Sequence, residues 1–421
     1  MTRQVDVLII GAGCAGWFVS LMLALRGIVC TILDMNPPGA FASTSNQGWL
    51  HSGVGHTVVA RDPRTVSACR DGSHWIRSHY PDVVYPDIPC YFLMHEEEDL
   101  QRCLTLCQQE DLLARPVSLD KVKEREPILK KSPLRYAMQT SDMPINTSRL
   151  LQAVIDEACH RGVRFQAVEN LETISALWDG RMWQVFLDQE HEIQARSVVL
   201  TCGAYIPEMM QRFMPSVAPG FKRTKNPVLV LHREVARSML ITVYAPHGPN
   251  LVPFYGEEGI GANICLSWTD KESLVAQDRT LSKDVVDVYQ ESFGDFYSGL
   301  ITMIEERGAI PAHIYACQKL HLNDNLAANP LGRVAIHLSY APQAGMQKSL
   351  FVFYPGKLTA APIAAQACAE DVERCLGDQR IGHSPLEIST PIPTIARRRY
   401  YNVPEYILAV RDSKLAFRPI K

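Results

Sequence analysis

VDVLIIGAGCAGWFVSLMLALRGIVCTILD, from Val5 to Asp34, is the stretch that decides the fold. The apolar run Val7-Leu8-Ile9-Ile10 predicts a buried strand. Gly11-Ala12-Gly13-Cys14-Ala15-Gly16 follows at once. Phe18, Leu21, Met22 and Leu25 then recur at helical spacing up to the stop signal Arg26-Gly27. A second apolar run, Ile28 to Leu33, ends in Asp34. Strand, tight turn, helix, strand and acid come in the order a dinucleotide site requires. Gly11 permits the turn, Gly13 lets the backbone approach a pyrophosphate, and Gly16 lets the helix pack close to the strand. The amides at the helix N-terminus, around Cys14 and Ala15, and the helix dipole meet the phosphate charge. Asp34, followed by Met35, stands where a carboxylate accepts from ribose hydroxyls and repels a 2′-phosphate, which argues against NADP. The bland alternative is three helix-packing glycines in an ordinary βαβ unit.

Working outward, 421 residues leave room for two domains or one large interleaved unit. A chain 47% hydrophobic and 21% charged has the balance of a soluble globular protein. A net charge of −3 gives no field favouring nucleic acid. The apolar run Trp17 to Leu25 is too short to span a bilayer, and a strand beginning near Val5 leaves no room for a signal or transit peptide. The twelve cysteines show no paired CxxC spacing, so neither a zinc site nor a disulfide framework is suggested. A cytoplasmic location is expected, with no metal.

After a loop at Met35 to Gly39 comes Ala42-Ser43-Thr44-Ser45-Asn46-Gln47-Gly48-Trp49-Leu50-His51-Ser52-Gly53. Small hydroxyl and amide residues ending in Trp-Leu-His-Ser-Gly suit a segment that threads under a cofactor. Together with the N-terminal βαβ unit, this segment resembles the FAD-dependent D-amino-acid oxidase superfamily. Within it, the segment is most similar to the glycerol-3-phosphate dehydrogenase and L-2-hydroxyglutarate dehydrogenase branches. The matching residues are Ser43, Ser45, Asn46, Gly48, His51 and Gly53. The resemblance implies FAD as cofactor and extends the binding set to Thr44, Trp49 and Leu50. Three roles stay open for His51: joined covalently to the flavin, lying beside it unjoined, or purely structural.

Further along, Arg64 to Tyr80 reads as a helix and Cys90 to Met94 as a strand. The acidic run Glu96 to Asp99 opens a helix reaching Glu110, where acids favour the N-terminus. Leu119 to Pro127 reads as a short helix, and Asn146 to His160 as an amphipathic one with Leu150, Leu151, Val154, Ile155 and Ala158 on its apolar face. Arg149 fits a helix-start residue better than a substrate ligand. Val163 to Phe165, Leu171 to Ile174 and Met182 to Leu187 read as strands, the first leading to Val168 in the cofactor set. Ser197 to Tyr205 resembles the family's strand and glycine turn beside the pyrophosphate, which adds Thr201, Cys202 and Gly203. Short strands at Val228 to Leu231, Met239 to Tyr244, Leu251 to Tyr255 and Ile264 to Trp268 fit a mixed or antiparallel sheet, and Ser282 to Glu306 is helical.

Leu350 to Thr359 reads as strand and turn, followed by a helix from Ala360 to about Cys375. It resembles the Gly-Gly-Lys-Leu/Ile-Thr segment of glycerol-3-phosphate dehydrogenases, with Pro355 in place of the first glycine. The resemblance puts Gly356, Lys357, Leu358 and Thr359 at the cofactor, with amides that favour negative charge on the flavin. Lys357 is either a catalytic ammonium there or a structural, solvated lysine. Beyond Gly377 the tail is Pro-rich and carries Arg397-Arg398-Arg399, a solvated face, an oligomer contact or an anion site.

The implied fold is α/β: a Rossmann-like FAD-binding domain of GR2 type, with a parallel sheet flanked by helices. A discontinuous α+β substrate domain is built on a mixed or antiparallel sheet. Residues 1–75, 146–220 and 330–380 are expected in the first, 76–145 and 221–329 in the second, and 381–421 in a C-terminal tail. The implied reaction is oxidation of a Cα–N or Cα–O bond in a small anionic amino or hydroxy acid. Electrons then pass to oxygen or another acceptor. His51 is the candidate base for an alcohol substrate, with an ordinary pKa of about 6.5. Tyr255 and Lys319 are candidate substrate residues. Tyr244, Arg223, Lys225, His313 and Arg333 are further candidates to shape the pocket or bind an anion. The region Ile314 to His321 lacks the arginine of the glycerol-3-phosphate branch, which puts that substrate in doubt. Another class of flavoprotein, a monooxygenase or an RNA-modifying enzyme, is the alternative.

Overall fold

The computed structural model describes the chain apart from residues 1, 29, 60–62, 189–190, 218–219, 244–247, 257–258, 267–271, 274–283, 323–335, 344–345, 378–392, 396–404, 412–413 and 421. The candidates Tyr244, Arg333 and Arg397 to Arg399 lie outside the described residues. The chain separates into two compact units. One comprises residues 1–45, 148–222 and 320–399, the other residues 46–147, 223–319 and 400–421. Residues 46–75, read in the sequence with the cofactor domain, cluster in the second unit.

The first unit is built on the strand Thr2–Ile10, which pairs in parallel with Cys30–Asp34 on one side and Glu192–Leu200 on the other. Arg164–Ala167 extends the sheet in parallel beyond Cys30–Asp34, and Leu350–Tyr354 extends it beyond Glu192–Leu200. Ile336–Tyr340 closes that edge antiparallel, and the hairpin Ser175–Trp178 with Trp183–Phe186 branches from Glu192–Leu200. These central strands are apolar on both faces, as parallel strands covered by helices must be. Leu8, Ile10, Val198, Leu200 and Val352 share one core with Trp183 and Phe213. The helix Cys14–Ala24 is buried almost throughout and packs with the helix Ala361–Leu376.

The second unit holds a mixed sheet whose strands run, edge to edge, Lys414–Pro419, Glu405–Arg411, Ile310–Leu322, Phe221–Leu231, Gly259–Leu266, Pro249–Gly256, Met239–Thr242, Cys90–Met94, Tyr136–Thr140 and Ala114–Val117. Met239–Thr242 and Cys90–Met94 are parallel, while the hairpins on either side of them are antiparallel. Leu229, Leu231, Leu251 and Ile264 face Tyr289, Phe293 and Leu300 from two helices, Asp284–Phe296 and Gly299–Arg307.

Three local expectations change. The single helix expected over Ser282 to Glu306 is two, Asp284–Phe296 and Gly299–Arg307, and glycine at the start of the second admits the Pro127 carbonyl oxygen, which would stand 2.1 Å from a Cβ there. Leu171–Thr173 is a 3₁₀ turn rather than a strand, with Asn170 Oδ1 accepting from the Glu172 amide at 2.8 Å. The expected tail contains a hairpin, Glu405–Arg411 with Lys414–Pro419, that pairs with Ile310–Leu322. Among the described residues no helix is long and apolar enough to cross a membrane.

Candidate functional site

In the first unit the glycine turn is fixed from several sides. Gly11 has φ +117°, a left-handed conformation, and its amide donates to Leu33 O at 2.8 Å. A Cβ on Gly11 would lie 2.6 Å from the Cys202 backbone, and one on Gly16 only 2.0 Å from Gly11 O. Thr201, buried at the end of its strand, donates its hydroxyl toward Ile10 O at 3.0 Å and Gly11 O at 2.9 Å. Helix, turn and third strand are therefore locked at van der Waals distance, and only glycine permits it.

Asp34 closes the same loop. Its Oδ2 accepts from the Ala12 amide at 2.7 Å and its Oδ1 from the Asn36 amide at 2.9 Å. Burial pushes its carboxyl above the ordinary range, and those amides pull against the shift. Val168 donates its amide to Asp34 O at 3.0 Å, and Met35 packs against the apolar core. Ser43 Oγ accepts from the Cys14 amide at 2.9 Å and lies 3.0 Å from where a Gly13 Cβ would be. Thr44 donates to Gly39 O at 2.6 Å, Gly39 donates to Ala12 O, and Ser45 donates to Phe41 O. The loop carrying the three hydroxyls is thus tied onto the glycine turn. Ala15 is buried in the first turn of the helix. The donor set suits a dinucleotide: backbone amides at a helix start, a hydroxyl, bare glycines and a carboxylate.

Gly203 opens the 3₁₀ turn after Thr201 and Cys202, with φ +58°. Gly356 has φ +67° and begins the turn after Leu350–Tyr354. The Lys357 amide donates to Pro355 O, Leu358 O accepts from the Ala361 amide, and Thr359 is fully buried. Gly356, Lys357 and Leu358 therefore lie in the turn ahead of the helix Ala361–Leu376, not in its first turn.

His51 belongs to the second unit. Asn46 Oδ1 accepts from the Gly48 amide at 2.8 Å, bending the chain at a residue with φ +73°. Gln47 donates to Asn250 O at 2.6 Å, and Asn263 donates to Gln47 O at 3.1 Å, which holds the bend against two sheet strands. Trp49–Leu50 pairs antiparallel with Met143–Pro144, and Leu50 is buried. The His51 ring stacks on the Trp49 indole with centroids 4.2 Å apart and planes 26° apart. His56 lies with its ring 5.0 Å from that of His51. Asp142, 2% exposed, accepts from Trp49 Nε1, the Ser52 amide and hydroxyl, and the Thr140 hydroxyl. Burial raises its carboxyl above the ordinary range, with Ser52 foremost among the donors that oppose it.

Tyr255 reaches the same neighbourhood through Tyr85. The Tyr85 hydroxyl donates to Tyr255 O at 2.5 Å and the Tyr85 amide to Pro144 O at 3.1 Å. Lys319 is half-buried on the strand Ile310–Leu322, and Arg223 and Lys225 are buried on Phe221–Leu231. His313 is engaged elsewhere: its Nδ1 lies 2.7 Å from His232 Nε2, and its Nε2 lies 3.6 Å from Glu405. Burial lowers its pKa against the pull of Glu405. Asp142 and His56 stand outside the sequence-based candidates, and Ser52 enters them only as part of the quoted run. The only signal for Asp142 is an acid between Thr140 and the two-residue strand Met143–Pro144.

With this geometry in view, the family profile described as FAD dependent oxidoreductase (DAO) matches residues 6–319. The chain belongs to that family of FAD-dependent oxidoreductases, and its cofactor is FAD. An α-glycerophosphate oxidase of Lactococcus lactis is 25% identical over 250 residues, 54% of this chain and 41% of that protein. A polypeptide of the anaerobic glycerol-3-phosphate dehydrogenase of Haemophilus influenzae is 27% identical over 38% of this chain and 28% of its own length. The chain spans less than half the length of the curated relatives it matches. Glycine oxidase from Geobacillus kaustophilus has a similar fold, with a TM-score of 0.66 at 17% identity over 94% of this chain and 99% of that one. The L-α-glycerophosphate oxidase of Mycoplasma pneumoniae, solved with FAD bound, gives 0.67 at 16% identity over 88% and 95%.

Proposed function

We propose that the protein oxidises a Cα–N or Cα–O bond of a small anionic amino or hydroxy acid, with His51 as the base for an alcohol substrate. FAD supplies the hydride acceptor. The observation that carries this reading is the His51 imidazole, held in one plane by the Trp49 indole within a segment anchored on both sides. Hydride leaves an alcohol carbon more readily as the O–H proton departs, and an oriented imidazole is suited to take that proton. An amine that binds deprotonated needs only the orientation. The glycine turn, Ser43 and Asp34 hold the dinucleotide, and the turn at Gly356 and Lys357 brings positive charge to the cofactor. Tyr255 and Lys319 contact the substrate and bind its anion. The names of an α-glycerophosphate oxidase relative and a glycine oxidase of like fold support a small charged substrate.

The test is anaerobic reduction of the bound flavin by a panel of 2-hydroxy acids, D- and L-amino acids, N-methyl amino acids and glycerol 3-phosphate. One class should bleach the flavin band. His51→Ala should retain FAD and slow that reduction by at least about tenfold. Reduction at the wild-type rate in this variant would remove His51 from the chemistry.

A further inference from the structure

We propose that Asp142 is a positioning residue for His51: it fixes the Trp49 indole and, through the stacked rings, the plane in which His51 presents its nitrogens. The inference rests on the role proposed above for His51.

Three observations carry it. First, the buried carboxylate grips both flanks of His51. Oδ1 accepts from Trp49 Nε1 at 2.7 Å and from the Ser52 amide at 3.0 Å. Oδ2 accepts from the Ser52 hydroxyl at 2.5 Å and from the Thr140 hydroxyl at 2.9 Å. The Trp49 and Ser52 side chains, on either side of His51, thus share one acceptor. Second, the indole is walled on two sides. Phe92 meets it edge-on with centroids 6.2 Å apart, and a Cβ on Gly55 would touch its six-membered ring at 3.5 Å. The Nε1 end is bonded to Asp142, Phe92 and Gly55 wall the ring, and a face of the indole stacks on His51. Third, a carboxylate is the one short side chain that offers four acceptor sites in a plane. Bonds to an ionised acceptor are shorter and stronger than neutral ones, so the arrangement is stiffer than a core of hydroxyls would be. A base must lie within hydrogen-bond reach of the proton it takes, and small misplacements are costly in rate.

Position can be separated from bulk structure because an amide in place of the Asp142 carboxylate retains the contacts. In Asp142→Asn the amide oxygen keeps Trp49 and the Ser52 amide, while the NH₂ donates to the Ser52 and Thr140 hydroxyls, which rotate to accept. The experiment compares wild type, Asp142→Ala, Asp142→Asn, Trp49→Phe and the double variant Asp142→Ala/Trp49→Phe as holoenzymes. The probe is whichever of glycerol 3-phosphate, glycine, sarcosine and 2-hydroxyglutarate reduces the wild type fastest. Asp142→Ala should lower the limiting rate of flavin reduction about tenfold, with apparent Kd within about twofold and FAD content unchanged. Asp142→Asn should recover to within about threefold of wild type. Trp49→Phe should lose as much as Asp142→Ala, and the double variant no more than either.

A second measurement needs no turnover. In protein labelled at its histidine rings, the His51 resonance, assigned through His51→Ala, should carry an upfield ring-current shift from Trp49. That shift should vanish in Asp142→Ala and persist in Asp142→Asn. A wild-type rate or an unmoved His51 resonance in Asp142→Ala overturns the proposal, as do additive losses in the double variant. If Asp142→Ala does not fold, Trp49→Phe reducing at the wild-type rate overturns it as well. Failure of the parent reading looks different: there His51→Ala itself reduces normally.

Discussion

Asp34 and Asp142 do the same physical work in different surroundings. Each is a carboxylate that burial pushes upward, and each ties a loop by accepting hydrogen bonds. The Asp34 contacts are to the backbone amides of Ala12 and Asn36, which nearly any residue at those positions would supply. The Asp142 contacts include the side chains of Trp49, Ser52 and Thr140. One loop is therefore specified by backbone geometry and the absence of Cβ atoms. The other is specified by side-chain identity. Substitutions should strike the two regions through different mechanisms.

The largest effect is expected where geometry leaves no slack. Gly16→Ala puts a Cβ at 2.0 Å from the Gly11 carbonyl oxygen, backbone that cannot step aside. Overpacking of this kind costs about 3 kcal/mol, and FAD affinity should fall about a hundredfold. Flavin retained on gel filtration in that variant would show that the glycine turn can shift to admit a Cβ.

A middle effect concerns pH. The Asp142 carboxyl is raised by burial, so the folded state holds its proton more tightly than the unfolded chain does. Its contribution to stability then falls as pH climbs from the ordinary carboxylate value of about 4 through the raised one, and stays low above it. Asp142→Asn removes that titration. Urea melts across about pH 4 to 7 should show the variant gaining on the wild type as pH rises. A constant gap would mean that the four donors hold Asp142 near its ordinary value.

The smallest effect has the opposite sign. Asp179, exposed on the hairpin, is held below the ordinary range by the amides of Met182 and Arg181. Its stabilisation is present above the unfolded value and fades as pH falls through the lowered one. Solvent screens it, so Asp179→Ala should cost under about 1 kcal/mol at neutral pH by thermal melting, with FAD content unaffected.

What the sequence made legible was local. Strand, turn, helix and second strand follow from period, glycine chemistry and Asp34 within one short stretch, and Gly16 meets Gly11 because both belong to it. Ser43 and His51 stand out as candidates because their segment is odd in composition. Asp142 was not, because its donors Ser52 and Trp49 lie 90 and 93 positions earlier, brought near by a strand pair only two residues long. The close approach of the Pro127 carbonyl to Gly299 joins residues far apart in the chain, which no helical periodicity reports. Leu171–Thr173 has a strand's composition, and Asn170 at its start captured the backbone first.

The hairpin Glu405–Pro419 also bears on synthesis. The strand Ile310–Leu322 obtains its outer partner from Glu405–Arg411, more than ninety positions later in the chain. Until those residues leave the ribosome, the Ile310–His313 end of that strand presents an open hydrogen-bonding edge. The interval between making the edge and covering it is therefore the period when a growing chain is most exposed to pairing with its neighbours.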